Sequence, residues 1–297
     1  MDVMMNDDGN EREKDSEGRD MRSAGSRTGH RMSRRRHGIW ASFCLSMSTF
    51  TMVPFPQYAF DPSILELTLA FFPLAGFFGA TLAGFSLYAL HLLKAGLFLR
   101  SVAAVSLIVM ASGAIHLDGF ADTCDALFSR RDRKEQLRIM KDPHIGVFAV
   151  IGTILLLAAA LAAWMEILET GRTLLILAAL LYGVFARSLS GLFSTTLPSA
   201  RADGMLHALL RKAPRAVNRA LTAALVLSGL VLIAAAHWSG LIAVIAALLT
   251  FAAFRRFSMK AFGGATGDLA GFLLSVLEVG GWIVLALTRA LPVWYGW

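Results

Sequence analysis

The sequence predicts an all-α fold, a polytopic membrane bundle of about seven transmembrane helices with long polar connections on the cytoplasmic side. Three observations lead there. Residues of the AVILMFWYC set make up 56% of the 297, and charged residues only 16%, where soluble domains carry roughly 25% charge. The apolar residues gather in runs of the roughly 17–25 needed to cross a bilayer. No stretch alternates apolar and polar as a membrane barrel would. This composition excludes an ordinary soluble enzyme. Two cysteines, Cys44 and Cys124, both in or beside apolar stretches, exclude a disulfide scaffold.

The elements follow in order. Residues 1–37 hold nine Lys/Arg and eight Asp/Glu and no apolar core, so they read as a disordered tail rather than a secretory signal. Residues 38–297 form the membrane-embedded domain. Arg31, Arg34, Arg35 and Arg36 abut the first apolar segment. Basic residues flanking spans are the expected pattern, so these arginines read as an anionic-lipid contact and not as nucleic-acid binding. The stretch 39–53 is short, rich in Ser and Thr, and stopped by Pro54-Phe55-Pro56. It reads as re-entrant or interfacial, with an eighth span as the alternative. Spans are expected at 64–90, 96–117, 146–165, 173–197, 219–236, 239–254 and 271–288.

Three connections, 118–145, 198–218 and 255–270, are long and polar; they alternate with short ones at 91–95, 166–172 and 237–238. With Arg219 at its edge counted, the long set holds fourteen Lys/Arg and the short set two, Lys94 and Arg172. The positive-inside rule assigns the long set to the cytoplasm. An eighth span would carry the basic tail across the membrane, against that rule.

The densest acidic run is His116-Leu117-Asp118-Gly119-Phe120-Ala121-Asp122-Thr123-Cys124-Asp125. At roughly 100° per residue, Asp118, Asp122 and Asp125 share one narrow face of a helix. Three anions on one face repel one another unless a cation lies among them, and carboxylates with water and phosphate are what Mg²⁺ prefers. The alternative is a solvated acidic helix end. Downstream come Arg130, Arg131, Arg133, Lys134, Arg138, Lys141, Asp142, Pro143 and His144. Acid followed by base suits a metal–phosphate site, with Arg138 and Lys141, beside Asp142, as the expected phosphate contacts. Arg130 and Arg131 read as topology charges. His116 and His144 lack zinc spacing; beside a phosphate site each is a base, a donor or a structural histidine. Gly263-Gly264-Ala265-Thr266-Gly267-Asp268 offers a glycine-rich backbone able to cradle an anion, though glycines serve close helix packing equally well. Glu278 within a span needs a partner, and Arg187 is the buried cation available to it. Arg201 and Asp203 open the middle connection.

The run GAIHLDGFADTCDALFSRRDRKEQLRIMKDPHIGVFAV resembles the signature of the cobalamin synthase family, the adenosylcobinamide-GDP ribazoletransferases. Supporting segments are MVPFP at 52–56, FFPLAG at 71–76, ARSLSGLFSTTLPSARADG at 186–204 and GGATGDLAG at 263–271, with Glu278 beyond. The likeness covers about residues 40–290 and leaves out the tail. One departure is Ala126, where a glycine is common. The resemblance implies a Mg²⁺-dependent enzyme of the bacterial cytoplasmic membrane. It would join adenosylcobinamide-GDP to α-ribazole or its 5′-phosphate and release GMP. It implies metal ligands at Asp118, Asp122 and Asp125, catalytic roles including His116 and Asp142, and substrate contacts at Arg138, Lys141, Arg187, Arg201, Thr266, Gly267, Asp268 and Glu278. A homo-oligomer is compatible with it. Other readings are a different Mg²⁺-dependent diphosphate transferase of the prenyltransferase or CDP-alcohol type, or a transporter lined by Arg187 and Glu278. The CDP-alcohol opening motif and the half-repeats of a transporter are both absent.

The charge asymmetry makes a prediction. A cysteine placed at position 135 or 210 should resist an impermeant thiol reagent in intact cells and react after lysis; labelling in intact cells refutes the assignment.

Overall fold

The computed structural model describes residues 38–56, 58, 65, 67–201 and 215–291. The tail 1–37 and the middle of the 198–218 connection, Asp203 included, lie outside the described residues. The helices are α1, Gly38–Phe50; α2, Phe72–Leu92, entered through a 3-10 turn at Leu69–Phe71; α3, Leu97–Ala111; α4, Ile115–Phe128; and α5, Arg133–Ile139. They continue with α6, Val147–Glu169; α7, Thr173–Thr196; α8, Arg215–Phe262; and α9, Gly267–Leu287. Among the described residues the one β-type contact is an isolated bridge between Ser199 and Ala265. The fold is a polytopic helical membrane bundle. Among the described residues five helices are long and apolar enough to cross a membrane, six if α3 and α4 count as one bent span.

Burial ranks the helices. In the apolar windows of α7 and α9, 72% of residues are buried, against 22% in α6, so α7 and α9 form the centre and α6 presents an outer apolar surface. Small residues let the central helices approach closely, as membrane packing requires. Gly281 of α9 lies against the ring of Tyr182, Trp282 donates its indole N–H to Ala179 O at 2.9 Å, and Ser190 donates to Ala270 O at 2.9 Å. The falling α9 numbers against rising α7 numbers make the pair antiparallel. On the other side of α7, Gly76 of α2 lies against the backbone of Gly183.

Two expected elements change shape. The span foreseen at 96–117 ends at Ala111, and the chain turns through 89° into α4. The turn uses left-handed backbone at Gly113 (φ 61°) and Ala114 (φ 57°), costly at an alanine and invisible to apolar periodicity. Its carbonyls are answered locally and from α1: Ser112 Oγ donates to Val109 O at 2.8 Å, and Met52 N donates to Ala111 O at 2.9 Å. The connection foreseen at 118–145 is therefore largely helix, α4 and α5. Similarly, α8 runs on to Phe262 and α9 begins at Gly267, so the connection foreseen at 255–270 shrinks to 263–266. The short connection foreseen at 237–238 falls where α8 breaks, at His237 (φ 53°, ψ −122°). There the two halves fold back: Gly240 packs on the backbone of Leu232, and Gly229 faces Val244. The segment at 39–53 is a helix of 13 residues, too short to cross.

Neighbouring glycines of α9 give a test. A Cβ on Gly280 meets nothing within 4 Å, whereas one on Gly281 strikes the buried Tyr182 ring. Gly280→Ala should therefore raise stability by up to about 1 kcal/mol through helix propensity. Gly281→Ala should lower it by about 1–3 kcal/mol through overpacking. Thermal unfolding of the two variants in detergent checks the opposite signs.

Candidate functional site

The site is built at the end of the bundle where the polar connections meet. Gly119 of α4 is the key to its geometry: a Cβ there would lie 3.0 Å from Asp268 Cα and O. Gly271, one turn along α9, lies equally close to His116 O and Gly119 Cα. Two glycines thus set α4 against the start of α9. The expected shared face of Asp118 and Asp122 is delivered beside Asp268, with Asp118 exposed and Asp122 half-buried. Asp122 lies within electrostatic reach of Asp118, Asp268 and Asp125, with Arg201 the cation among them.

Arg201 ties three segments together. It donates from one guanidinium nitrogen to Asp268 Oδ2 at 3.1 Å and from another to Leu137 O of α5 at 2.7 Å. The glycine-rich stretch serves packing and capping. Gly264 fits against Pro198, whose carbonyl accepts from Ala265 N at 2.8 Å, and Gly263 lies against the Arg133 guanidinium. Thr266 is the N-cap of α9, accepting from Leu269 N at 3.1 Å. Gly267 borders open space, with nothing within 4 Å of a Cβ built on it.

Asp125, expected as a metal ligand, accepts two backbone hydrogen bonds. Gly146 N donates to its Oδ2 at 2.6 Å and Ala149 N to its Oδ1 at 2.8 Å. It caps the N-terminus of α6 from a distant helix, where a negative charge also suits the helix dipole. Asp142 accepts from the backbone N–H of His144 at 3.0 Å and pairs with its ring at 2.7 Å. These two bonds hold its carboxyl below the usual carboxylate range. Asp142 is exposed and lines neither hollow described below. Arg138 makes a two-pronged pair with Glu135 at 2.6 and 2.9 Å, which holds the Glu135 carboxyl low.

Arg187 and Glu278 lie deeper, paired at 2.6 Å and only 2% and 8% exposed. Arg187 also donates to Gly183 O at 3.1 Å. Gly183 makes room, since a Cβ there would sit 2.7 Å from Glu278 Oε1. Each therefore finds its partner in the other.

Two hollows adjoin the carboxylates. The first, of about 140 Å³, has Phe50, Leu69, Phe72 and Ile115 on one wall and Asp118, Asp268, Ser190 and Ser194 among its polar groups. Gly119, Gly267, Ala270 and Gly271 also line it. His116 sits against it, 6.2 Å from the Phe50 ring and 5.4 Å from that of Phe72; its Nε2 is buried with no partner among the described residues. The second hollow, about 480 Å³, is lined by Lys134, Arg138, Lys141 and Arg201 with Asp132 and Glu135. Among the described residues no three His, Cys, Asp or Glu side chains converge as a metal cage. Sequence reasoning did not single out Phe50, Phe72, Ser190 and Ser194, although the last three lie in the segments 71–76 and 186–204 that support the family resemblance; they come from three helices and only the fold brings them together.

The model of the cobalamin-5-phosphate synthase family matches residues 42–286. The chain belongs to the cobalamin-5-phosphate synthase family. The match takes in α4, Arg201 and α9 and leaves out the tail. Relatives named adenosylcobinamide-GDP ribazoletransferase include one from Pseudomonas savastanoi pv. phaseolicola, 37% identical over 76% of this chain and 90% of its own length. Another, from Lachnoclostridium phytofermentans, is 30% identical over 82% of this chain and 90% of its own. A third, from Clostridium perfringens, is 28% identical over 82% and 96%. No solved structure matches the chain. Within this member of the cobalamin-5-phosphate synthase family, the capping role of Asp125 separates it from Asp122. Asp125→Ala should cost about 1–2 kcal/mol of stability through the lost cap, and Asp122→Asn should leave the unfolding temperature unchanged; calorimetry of both in detergent checks this.

Proposed function

We propose that the chain is an adenosylcobinamide-GDP ribazoletransferase, joining adenosylcobinamide-GDP to α-ribazole or its 5′-phosphate with release of GMP. The observation that carries the reading is the docking of Asp118 and Asp122 against Asp268 through Gly119, beside a hollow rich in Lys and Arg, inside the region matched to the family. A diphosphate needs both halves of that arrangement.

In the transfer, the ribazole hydroxyl oxygen bonds to the cobinamide-side phosphorus while the bond from that phosphorus to the bridging oxygen breaks. The bridging oxygen leaves with GMP, and the hydroxyl proton goes to water. Catalysis of this type rests on positioning and charge stabilisation. Arg201, Arg138 and Lys141 supply positive charge to the donor's phosphates. The Asp268 pair fixes Arg201 in place, and Thr266 fixes the turn that carries Asp268. His116, behind Asp118, packs the aromatic wall, and the Arg187–Glu278 pair holds α7 to α9 beneath the site.

The donor set fits Mg²⁺, which uses one or two carboxylates and keeps several waters and phosphate oxygens. Asp118 and Asp122, exposed and half-buried, would hold the ion, with Asp268 close by. Asp125, with both oxygens engaged by α6, supports them. When bound, the ion would polarise the diphosphate and stabilise the departing GMP. The location we propose is the bacterial cytoplasmic membrane with this end of the bundle toward the cytoplasm. The Lys/Arg asymmetry supports it, and so does the meeting of all three polar connections around Arg201 and Gly263.

The test is GMP release from adenosylcobinamide-GDP and α-ribazole by the purified protein, with and without Mg²⁺. We expect turnover that needs the ion and falls at least about 100-fold, some 2.7 kcal/mol, in Asp122→Asn. Full activity of that variant at limiting Mg²⁺ would sink the assignment.

A further inference from the structure

The two hollows differ in chemistry and touch one another. Asp268 lines the first and Arg201 the second, and these side chains are paired at 3.1 Å. We propose that the aromatic-walled cleft seats the flat base of the acceptor nucleoside, leaving the basic hollow across the Arg201–Asp268 pair to the donor's phosphates. This inference rests on the transferase reading and divides its two substrates between named subsites.

The lining of the cleft selects the ligand class. Its acids are Asp118 and Asp268, and among the described residues its lining holds no Lys or Arg, so the cleft offers phosphates no cationic side chain of its own, whereas the second hollow does. A neutral aromatic ring suits it instead. Phe50 and Phe72 pack with centroids 4.4 Å apart, and the His116 ring completes the wall, an arrangement that favours further ring contacts. A cavity of about 150 Å³ accepts a single benzene ring. A volume near 140 Å³ therefore admits one ring of a bicyclic base, with the remainder and the sugar projecting from the cleft, and excludes a corrin macrocycle.

The polar groups suit a sugar attached to that base. Ser190 Oγ already donates to Ala270 O, and Ser194 Oγ to Ser190 O at 3.0 Å. Each hydroxyl oxygen is left with lone pairs to accept a hydrogen bond from a sugar hydroxyl. A base held here directs its sugar toward Asp118 and Asp268, and so toward the pair that borders the donor hollow. The attacking oxygen and the donor phosphorus then meet at the Arg201–Asp268 pair that separates the two hollows, with the bridging oxygen leaving on the side away from the acceptor, as in-line displacement requires.

Gly267 provides a clean probe. It lines the cleft, and a Cβ on it meets no protein atom within 4 Å, so a side chain there intrudes on a ligand before it disturbs the fold. Gly267→Ala and Gly267→Leu, in the full-length protein in lipid nanodiscs, are compared with wild type by GMP release, varying each substrate in turn. We expect KM for α-ribazole to rise with side-chain size, at least about tenfold for Leu, the scale of a misfit in an apolar pocket. KM for adenosylcobinamide-GDP should stay within about twofold. The Leu variant should also shift its preference toward a riboside of unsubstituted benzimidazole over the dimethylated base. If KM rises for the GDP substrate instead, or equally for both, the cleft is not the acceptor's. Should Gly267→Leu lose its thermal transition, Gly267→Ala and the rim variant Ile115→Trp carry the same comparison. Wild-type protein that releases no GMP overturns the transferase reading itself, whereas turnover with an unmoved acceptor KM overturns only the division of subsites.

Discussion

The Arg187–Glu278 pair is the constraint around which the bundle is arranged. Two charges lie almost wholly out of solvent, 2.6 Å apart, one on each central helix. Either alone would be a serious cost in an apolar interior, and removal of one partner of such a pair typically costs about 3–5 kcal/mol. Together they fix both the spacing and the register of α7 and α9. Gly183 is required because any side chain there would occupy the space of the carboxylate. The register places Trp282 on Ala179 O and Ser190 on Ala270 O, and so decides which turn of α9 reaches the end of the bundle.

From that end the site is assembled by close backbone contacts more than by side-chain bonds. Gly119 and Gly271 bring α4 onto α9, Thr266 starts α9 at a defined residue, and Arg201 closes the angle between α9 and α5. The acid-bearing helix is held at its far end by Asp125, which grips α6. Carboxylates of one sequence motif thus differ in setting: Asp125 fastens the helix, Asp118 lines the first hollow, and Asp122 lies within electrostatic reach of Asp118 and Asp268.

Much of this was legible in the sequence. Apolar runs gave the helices, and the i, i+4, i+7 spacing gave the acidic face. A carboxylate inside a span called for a cation, and Arg187 answers it. The break at 237–238 was visible as a short gap between spans. What escaped has a common cause. The bend after Ala111 uses an alanine in left-handed backbone, a residue with no turn preference to announce it. The Asp125 cap joins residues 21 and 24 positions apart, and local spacing cannot tell an acid that binds a cation from one that binds a helix end. The wall of Phe50 and Phe72 exists only after α1 and α2 have packed beside α4.

The bend itself gives a role to α1, a helix too short to cross a bilayer. α3 has 15 residues and rises about 22 Å, well short of the roughly 30 Å hydrocarbon layer. The bend frees its last carbonyls from helical partners, and bare backbone polar groups are not tolerated against lipid. The backbone N–H of Met52, just past the end of α1, reaches Ala111 O. In this view the segment around residues 42–53 acts as a surrogate solvent. It supplies a hydrogen bond at the bend, and it accompanies the departure of the acid-bearing helix at 89° from the line of α3.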